Sequence, residues 1–218
     1  MSVQPIEPEN IKFILCDLGR TLVDFDHLIV GQKLLKVIRN QHPDSRLTML
    51  DLYQWFFQPD KTGHCRNIEV DKGAYTIADL GNDFEQEFRV RLQQGEFRKI
   101  WSEIFTTQHT HVITAMKKAQ SKGIQVGICS STNEAHWKYV KQHYPDIAKL
   151  TDIAFLTYEL NEMKTEPNFF HLILSQTKLP ANRHLFIDDI QSNLDCARSV
   201  GIHGLLYGGQ LPDWTIFQ

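Results

Sequence analysis

The stretch IKFILCDLGRTL, residues 11–22, joins an almost continuous apolar run to an aspartate and a glycine. A short apolar run bounded by turn residues is typical of a strand covered on both faces, as in the parallel sheets of α/β proteins. Three more runs share this character, and a weaker one lies near the C-terminus. We therefore predict strands over residues 11–18, 124–130, 153–158, 184–188 and 203–207.

Helical patterns separate these strands. Residues 112–122 and 194–200 are followed by Gly123 and Gly201, and a helix C-terminus favours glycine in the left-handed conformation that often ends it. Thr165 is predicted to cap a helix that runs to about Lys178. Strands that alternate with helices indicate an α/β fold, here a Rossmann-like core with a doubly wound parallel sheet.

The alternation is interrupted between His27 and His109, where no strand pattern is evident. Helices are predicted instead over residues 31–41, 48–58, 76–94 and 96–107. We expect residues 1–26 and 110–218 to form the α/β core. Residues 27–109 should form an inserted helical cap over the carboxyl ends of the strands.

Composition excludes several classes of protein. Of 218 residues, 42% are hydrophobic, and the net charge of −3 gives no electrostatic basis for binding nucleic acid. No apolar run approaches the roughly 20 residues of a membrane span, and residues 1–10 do not resemble a signal peptide. The four cysteines are widely scattered, as in a cytoplasmic protein with reduced thiols. No feature of the sequence defines an oligomeric state.

Polar side chains stand at or just after the ends of the predicted strands. In an open α/β sheet, ligands bind outside these carboxyl ends. Each residue alone has an ordinary explanation, such as a turn aspartate, a helix-capping serine or a solvated lysine. Together they supply a carboxylate nucleophile, hydroxyl donors, a cation and an acidic pair, which suits phosphoryl transfer through an aspartyl-phosphate with Mg²⁺. The residues are Asp17, Ser130, Lys164, Asp188 and Asp189.

These motifs resemble those of the haloacid dehalogenase-like (HAD) hydrolase superfamily. The first motif is DLGRTL at residues 17–22, the second ends a strand at Ser130, the third is Lys164, and the fourth is FIDD at residues 186–189 with Asn193 after it. Asp17-Leu18-Gly19 followed by Asp24-Phe25-Asp26 is most similar to the D-L-G-N branch. That branch resembles bacterial sugar-phosphate phosphatases and the N-terminal phosphatase domain of soluble epoxide hydrolase.

The resemblance implies a role for each matching residue. Asp17 would be the nucleophile and, with Lys164, catalytic. Phosphate would be held by Ser130, Ser131 and Lys164, with Asn193 in support. The Mg²⁺ ligands would be Asp17, the Gly19 carbonyl, Asp188 and Asp189, with Asp188 binding the metal or orienting its neighbours. The implied substrate is a small phosphorylated metabolite, such as a sugar phosphate.

One departure affects the expected activity. Gly19 stands where the family usually has an acid/base aspartate, and Arg20 follows where a small polar residue or glycine is usual. Loss of acid/base assistance lowers a rate by about 10²–10⁴-fold. Two alternatives therefore accompany the phosphatase hypothesis: a 2-haloacid dehalogenase, against which the Asp188–Asp189 pair argues, and a catalytically impaired binding or regulatory protein.

Overall fold

The computed structural model describes residues 10–211, so residues 1–9 and 212–218, including most of the segment compared with a signal peptide, lie outside the description. The described residues form seven strands: β1 (Phe13–Cys16), β2 (Val23–Phe25), β3 (Phe105–Gln108), β4 (Gln125–Ser130), β5 (Ala154–Leu156), β6 (His184–Asp188) and β7 (His203–Leu206). Five of them form a sheet of order β5-β4-β1-β6-β7 in which every neighbouring pair is parallel. The predicted Rossmann-like α/β fold is confirmed.

The segment between β2 and β3 is helical. It comprises α1 (His27–Gln41), α2 (Met49–Phe57), α3 (Arg66–Asp71), α4 (Ile77–Phe88) and α5 (Glu96–Ser102). Thr48 and Thr76 begin α2 and α4 with capping boxes, in which the threonine side chain and an aspartate three residues later each bind the other's main-chain N–H. These helices share their own apolar cluster, with Leu34, Phe84 and Trp101 almost fully buried at its centre.

The remaining helices cover the two faces of the main sheet. They are α6 (Thr110–Ser121), α7 (Glu134–His143), α8 (Pro145–Ala148), α9 (Thr157–Leu160), α10 (Pro167–Thr177) and α11 (Gln191–Ser199). One apolar cluster joins the sheet to α6, α7 and α8, and another joins it to α10 and α11. Gly123 and Gly201 follow α6 and α11 with φ of 82° and 89°, as predicted.

The structure corrects several local expectations. Residues 105–108, predicted to be helical or loop, form β3, because α5 ends at Ser102 and the chain then pairs antiparallel with β2. The helix predicted over residues 76–94 ends at Phe88, where Arg89 turns left-handed with φ of 52°. The N-cap position of α10 is Glu166 and not Thr165, because Pro167 is the first residue of the helix, and no side chain makes a capping hydrogen bond there. The short helix α3 was not predicted.

Candidate active site

Strand order brings the predicted site residues together. β1 lies between β4 and β6, so Asp17 after β1, Ser130 at the end of β4 and Asp188 at the end of β6 share one edge of the sheet. A cavity of about 380 Å³ opens there, between this edge and the inserted helices. Of the predicted site residues, those that line it are Asp17, Gly19, Ser130, Ser131, Lys164, Asp189 and Asn193.

Lys164 links two of the strand ends. Its Nζ donates to Asp17 Oδ1 at 2.6 Å and to Asp188 Oδ2 at 2.7 Å, and all three residues are buried. A buried ammonium between two carboxylates is strongly held in its charged form, because the pKa-lowering effect of burial is outweighed by both negative neighbours. This arrangement positions Asp17 and places a positive charge beside it.

Asp188 does not line the cavity, and its carboxylate is occupied by protein donors. Besides Lys164, it accepts from the main-chain N–H of Ile190 at 2.8 Å and from Asn193 Nδ2 at 3.1 and 3.2 Å. Its neighbour Asp189 is half-buried and faces the cavity. The two adjacent aspartates thus occupy different environments.

The carboxylates at the cavity lack full compensation for their charge. Burial raises the pKa of Asp17 to about 7, although Lys164 acts in the opposite direction. Burial and the adjacent Asp188 raise the pKa of Asp189 as well. Both groups would be stabilised as carboxylates by a further cation, and carboxylate and carbonyl oxygens are the ligands that Mg²⁺ prefers. Across residues 10–211 no three His, Cys, Asp or Glu side chains are grouped so that they could hold a metal ion. The oxygen-bearing residues that line the cavity include Asp17, Asp189 and Gly19.

The left-handed residue in the first motif is Arg20, with φ of 59°, and not the preceding glycine. Gly19 is constrained differently, because a Cβ there would lie 2.7 Å from Cε1 of the Phe25 ring. The guanidinium of Arg20 stands 5.2 Å from the centroid of the same ring. Phe25 therefore fills the space that a side chain at position 19 would need.

Several polar residues that the sequence did not identify as site residues also line the cavity. Asn67 and Asp71 come from α3, and His27 and His136 come from the starts of α1 and α7. Burial lowers the pKa of His27 to about 4 and that of His136 to about 3, so both imidazoles are neutral near pH 7. Only the four-residue spacing of Asn67 and Asp71 on a helix could have drawn attention to that pair.

A second cavity of about 280 Å³ adjoins the first and shares Arg20, Phe25 and His27 with it. Its lining is mostly apolar and aromatic. The further residues around it include Leu52, Tyr53, Phe56, Phe57 and Trp101. The charged cavity thus continues into an apolar compartment among the inserted helices.

Comparison with known protein families identifies the family of this chain. The sequence profile of the haloacid dehalogenase-like hydrolases matches residues 11–201, nearly the whole described chain. The chain belongs to the haloacid dehalogenase-like hydrolase family. The HAD membership inferred from the motifs is therefore confirmed.

Solved HAD structures are similar in fold over most of the chain. A HAD family enzyme from Bacteroides thetaiotaomicron, crystallised with magnesium and inorganic phosphate as an alanine variant, has a TM-score of 0.76 and 20% identity, covering 95% of this chain and 100% of that one. A HAD phosphatase from Thermococcus onnurineus has a TM-score of 0.62 and 15% identity, with coverage of 94% and 90%.

A curated relative is similar over a shorter stretch. The mouse protein acyl-CoA dehydrogenase family member 10 is 30% identical over 107 residues, or 49% of this chain. The match spans only 10% of that protein's length. No helix within residues 10–211 is long and apolar enough to cross a membrane.

Proposed function

We propose that this HAD-family protein is a Mg²⁺-dependent phosphatase that hydrolyses small phosphate monoesters through an aspartyl-phosphate on Asp17. The observation that carries the proposal is the arrangement of Asp17, Lys164, Ser130 and Asp189 around one cavity. A carboxylate oxygen that attacks phosphorus needs a fixed position and nearby positive charge, and Lys164 supplies both.

Each predicted site residue receives a role in this proposal. Lys164 binds one oxygen of Asp17, which leaves the second oxygen to attack phosphorus or bind metal. Ser130 and Ser131 donate to the phosphate oxygens. When bound, Mg²⁺ would offset charge on the phosphate and would be held by Asp17, Asp189 and the Gly19 carbonyl. Asp188, whose oxygens already accept several hydrogen bonds, orients Lys164 and Asn193 and is not a direct ligand.

The substrates are proposed to be small. The charged cavity is about 380 Å³, in the range of ordinary small-molecule sites, and its apolar neighbour adds space for the rest of the ester. Sugar phosphates are the class that the family branch implies. The aromatic lining of the second cavity favours esters whose alcohol is partly apolar.

We also propose a cytoplasmic location. The free thiols at Cys16, Cys65, Cys129 and Cys196 support it.

Phosphate release from a panel of sugar, aryl and alkyl phosphates, measured with Mg²⁺ and with a chelator, tests the proposal. We expect turnover that requires Mg²⁺, disappears in Asp17→Asn and persists in Asp152→Asn, a control at an exposed position of the core. Acid quenching with ³²P-labelled substrate should trap label on the wild-type protein and none on Asp17→Asn. Substantial turnover by Asp17→Asn would exclude Asp17 as the nucleophile.

The same preparation separates the alternatives. Halide release from 2-haloacids without a divalent ion would identify a dehalogenase. Binding of inorganic phosphate with Mg²⁺ but no turnover of any ester would identify a binding or regulatory protein.

A further inference from the structure

Asp71 is a carboxylate of the inserted helices that lines the same cavity as Asp17. It ends α3, whereas Asp17 follows β1 of the sheet, so the inserted helices and the sheet each contribute a carboxylate to the cavity lining. An ester whose phosphate reaches Asp17 would share this cavity with the side chains of α3 that line it. A carboxyl among these side chains is placed to exchange a proton with the leaving-group oxygen.

Two amides fix the orientation of Asp71. Its Oδ1 accepts from Asn133 Nδ2 at 2.9 Å, and its Oδ2 accepts from Asn67 Nδ2 at 3.1 Å. Asn133 cannot reverse its amide, because its Oδ1 accepts the main-chain N–H of His136 as the cap of α7. His136 Nε2 in turn donates to the carbonyl of Trp101, which leaves its Nδ1 to accept from Asn133. The carboxylate is held by a network that ends in the main chain.

The residues after Asp71 anchor this end of α3 to the core. Lys72 Nζ binds both oxygens of Glu166 at 2.9 and 3.0 Å, and the carbonyl of Lys72 accepts from Asn161. Glu166 also accepts the main-chain N–H of Met163, so the anchor lies beside the segment that carries Lys164. The position of Asp71 relative to the strand ends is thus defined by contacts on both sides.

We infer that Asp71 is the acid/base that serves the leaving group, in place of the carboxylate that position 19 lacks. The inference rests on the proposed phosphatase function. Phe25 occupies the space beside Gly19, so a carboxylate must reach the leaving group from elsewhere. Within the described residues that line the cavity, Asp71 is the carboxylate contributed by the inserted helices.

The proposed proton transfers balance over the two steps. As Asp17 bonds to phosphorus and the ester P–O bond breaks, the Asp71 carboxyl gives its proton to the departing oxygen, and the alcohol leaves. Water then attacks phosphorus while the Asp71 carboxylate accepts its proton, and the bond between phosphorus and Asp17 breaks. Burial raises the pKa of Asp71 to about 6, against the lowering effect of both amides, so both protonation states are accessible near neutral pH.

The variant Asp71→Asn tests the inference with two classes of substrate. A nitrophenyl ester leaves without a proton, whereas an alkyl ester needs one. We expect the kcat/KM of Asp71→Asn to fall about 10²–10⁴-fold on alkyl phosphates and much less on nitrophenyl phosphate. Asp71→Glu should restore part of the loss. Glu69→Gln, which removes a carboxylate of α3 that does not line the cavity, should behave as wild type.

Asparagine should fit at position 71, because it can accept from Asn133 while Asn67 reverses its amide to accept from it. Melting temperature and binding of inorganic phosphate with Mg²⁺ should therefore match wild type. Wild-type turnover of alkyl phosphates should fall as pH rises above about 6, where Asp71 loses its proton, and Asp71→Asn should lack this decline. Besides Asp71, six charged or titratable side chains line the cavity: Asp17, Arg20, His27, His136, Lys164 and Asp189.

The outcomes distinguish this inference from the proposed function. An equal loss on both ester classes, or no loss on alkyl phosphates, would overturn the role of Asp71 and leave the phosphatase proposal standing. Absence of wild-type turnover on every ester, nitrophenyl phosphate included, would overturn both.

Discussion

Arg20 carries the unusual backbone of the first motif. Its φ of 59° is unfavourable for a residue with a Cβ by about 1–2 kcal/mol, whereas asparagine tolerates this conformation. The contact between its guanidinium and the Phe25 ring offsets part of this unfavourable free energy, by about 0.5–1 kcal/mol at an exposed site. The chain thus accepts local strain at the loop that connects Asp17 to the inserted helices.

Replacing Arg20 should reveal this strain. Arg20→Asn and Arg20→Ala both remove the guanidinium, but only asparagine suits the left-handed backbone. We expect Arg20→Asn to exceed Arg20→Ala by about 1 kcal/mol in free energy of unfolding, measured by urea denaturation. Equal stabilities would show that the backbone at position 20 relaxes and stores no strain.

Helix α3 is short, and its position depends on close contact with the core. Gly73, two residues after its end, has φ of 76°, and a Cβ there would lie 2.4 Å from the main-chain oxygen of Tyr158. A glycine is needed at this point both for the backbone conformation and for the close approach. The contact supports the anchor formed by Lys72 and Glu166.

Gly73→Ala should separate α3 from the core. Gly63→Ala is the matched control, because Gly63 has φ of 85° but open space around its missing Cβ. Both variants should lose about 1–2 kcal/mol of unfolding free energy from the left-handed backbone. Gly73→Ala should lose more unfolding free energy than Gly63→Ala, because its new Cβ also collides with the main chain of Tyr158. It should also turn over alkyl phosphates more slowly than Gly63→Ala, since Asp71 is displaced. Similar stability and activity in the two variants would contradict the anchoring role.

The molecule surrounds its candidate site from two sides. The inserted helices have their own apolar cluster, yet they contact the core through Lys72–Glu166 and Arg98–Glu134 as well as through the paired strands β2 and β3. We propose from this arrangement that residues 27–109 act as a cap, with residues 1–26 and 110–218 as the core. A covered site limits access of water to a reactive aspartyl-phosphate.

A covered site should also discriminate by substrate size. We expect small phosphate monoesters to be hydrolysed far faster than a folded phosphoprotein, because the phosphorylated side chain of a folded surface cannot reach a cavity beneath the helices. Competition assays with a phosphoprotein and nitrophenyl phosphate provide the measurement. A short phosphopeptide is the control, because it presents the same phosphorylated side chain without a folded protein around it. Equal rates on the protein and the small ester would contradict the proposed cap.

Local sequence patterns predicted much of the fold. Each predicted strand of the main sheet is present. A buried strand is a short apolar run, and such a run can be recognised in the sequence without knowing which strands it pairs with. The residues at the strand ends were identifiable for the same reason, since parallel strands bring their carboxyl ends to one edge. Strand β3 was missed because the residues of Phe105–Gln108 have no apolar alternation and form a strand only by pairing with β2.

The sequence by itself determined the α/β class, the strand ends that meet at the cavity and the absence of a carboxylate at Gly19. Tertiary structure alone decided that Asp188 is buried among protein donors and does not line the cavity, and that Asp71 joins the cavity lining. The hydrogen bond between Asn133 and Asp71 joins residues 62 positions apart, on elements that no local pattern relates. Such a pair exists only after helices and sheet have packed, because packing, and not periodicity, sets which distant side chains share a cavity.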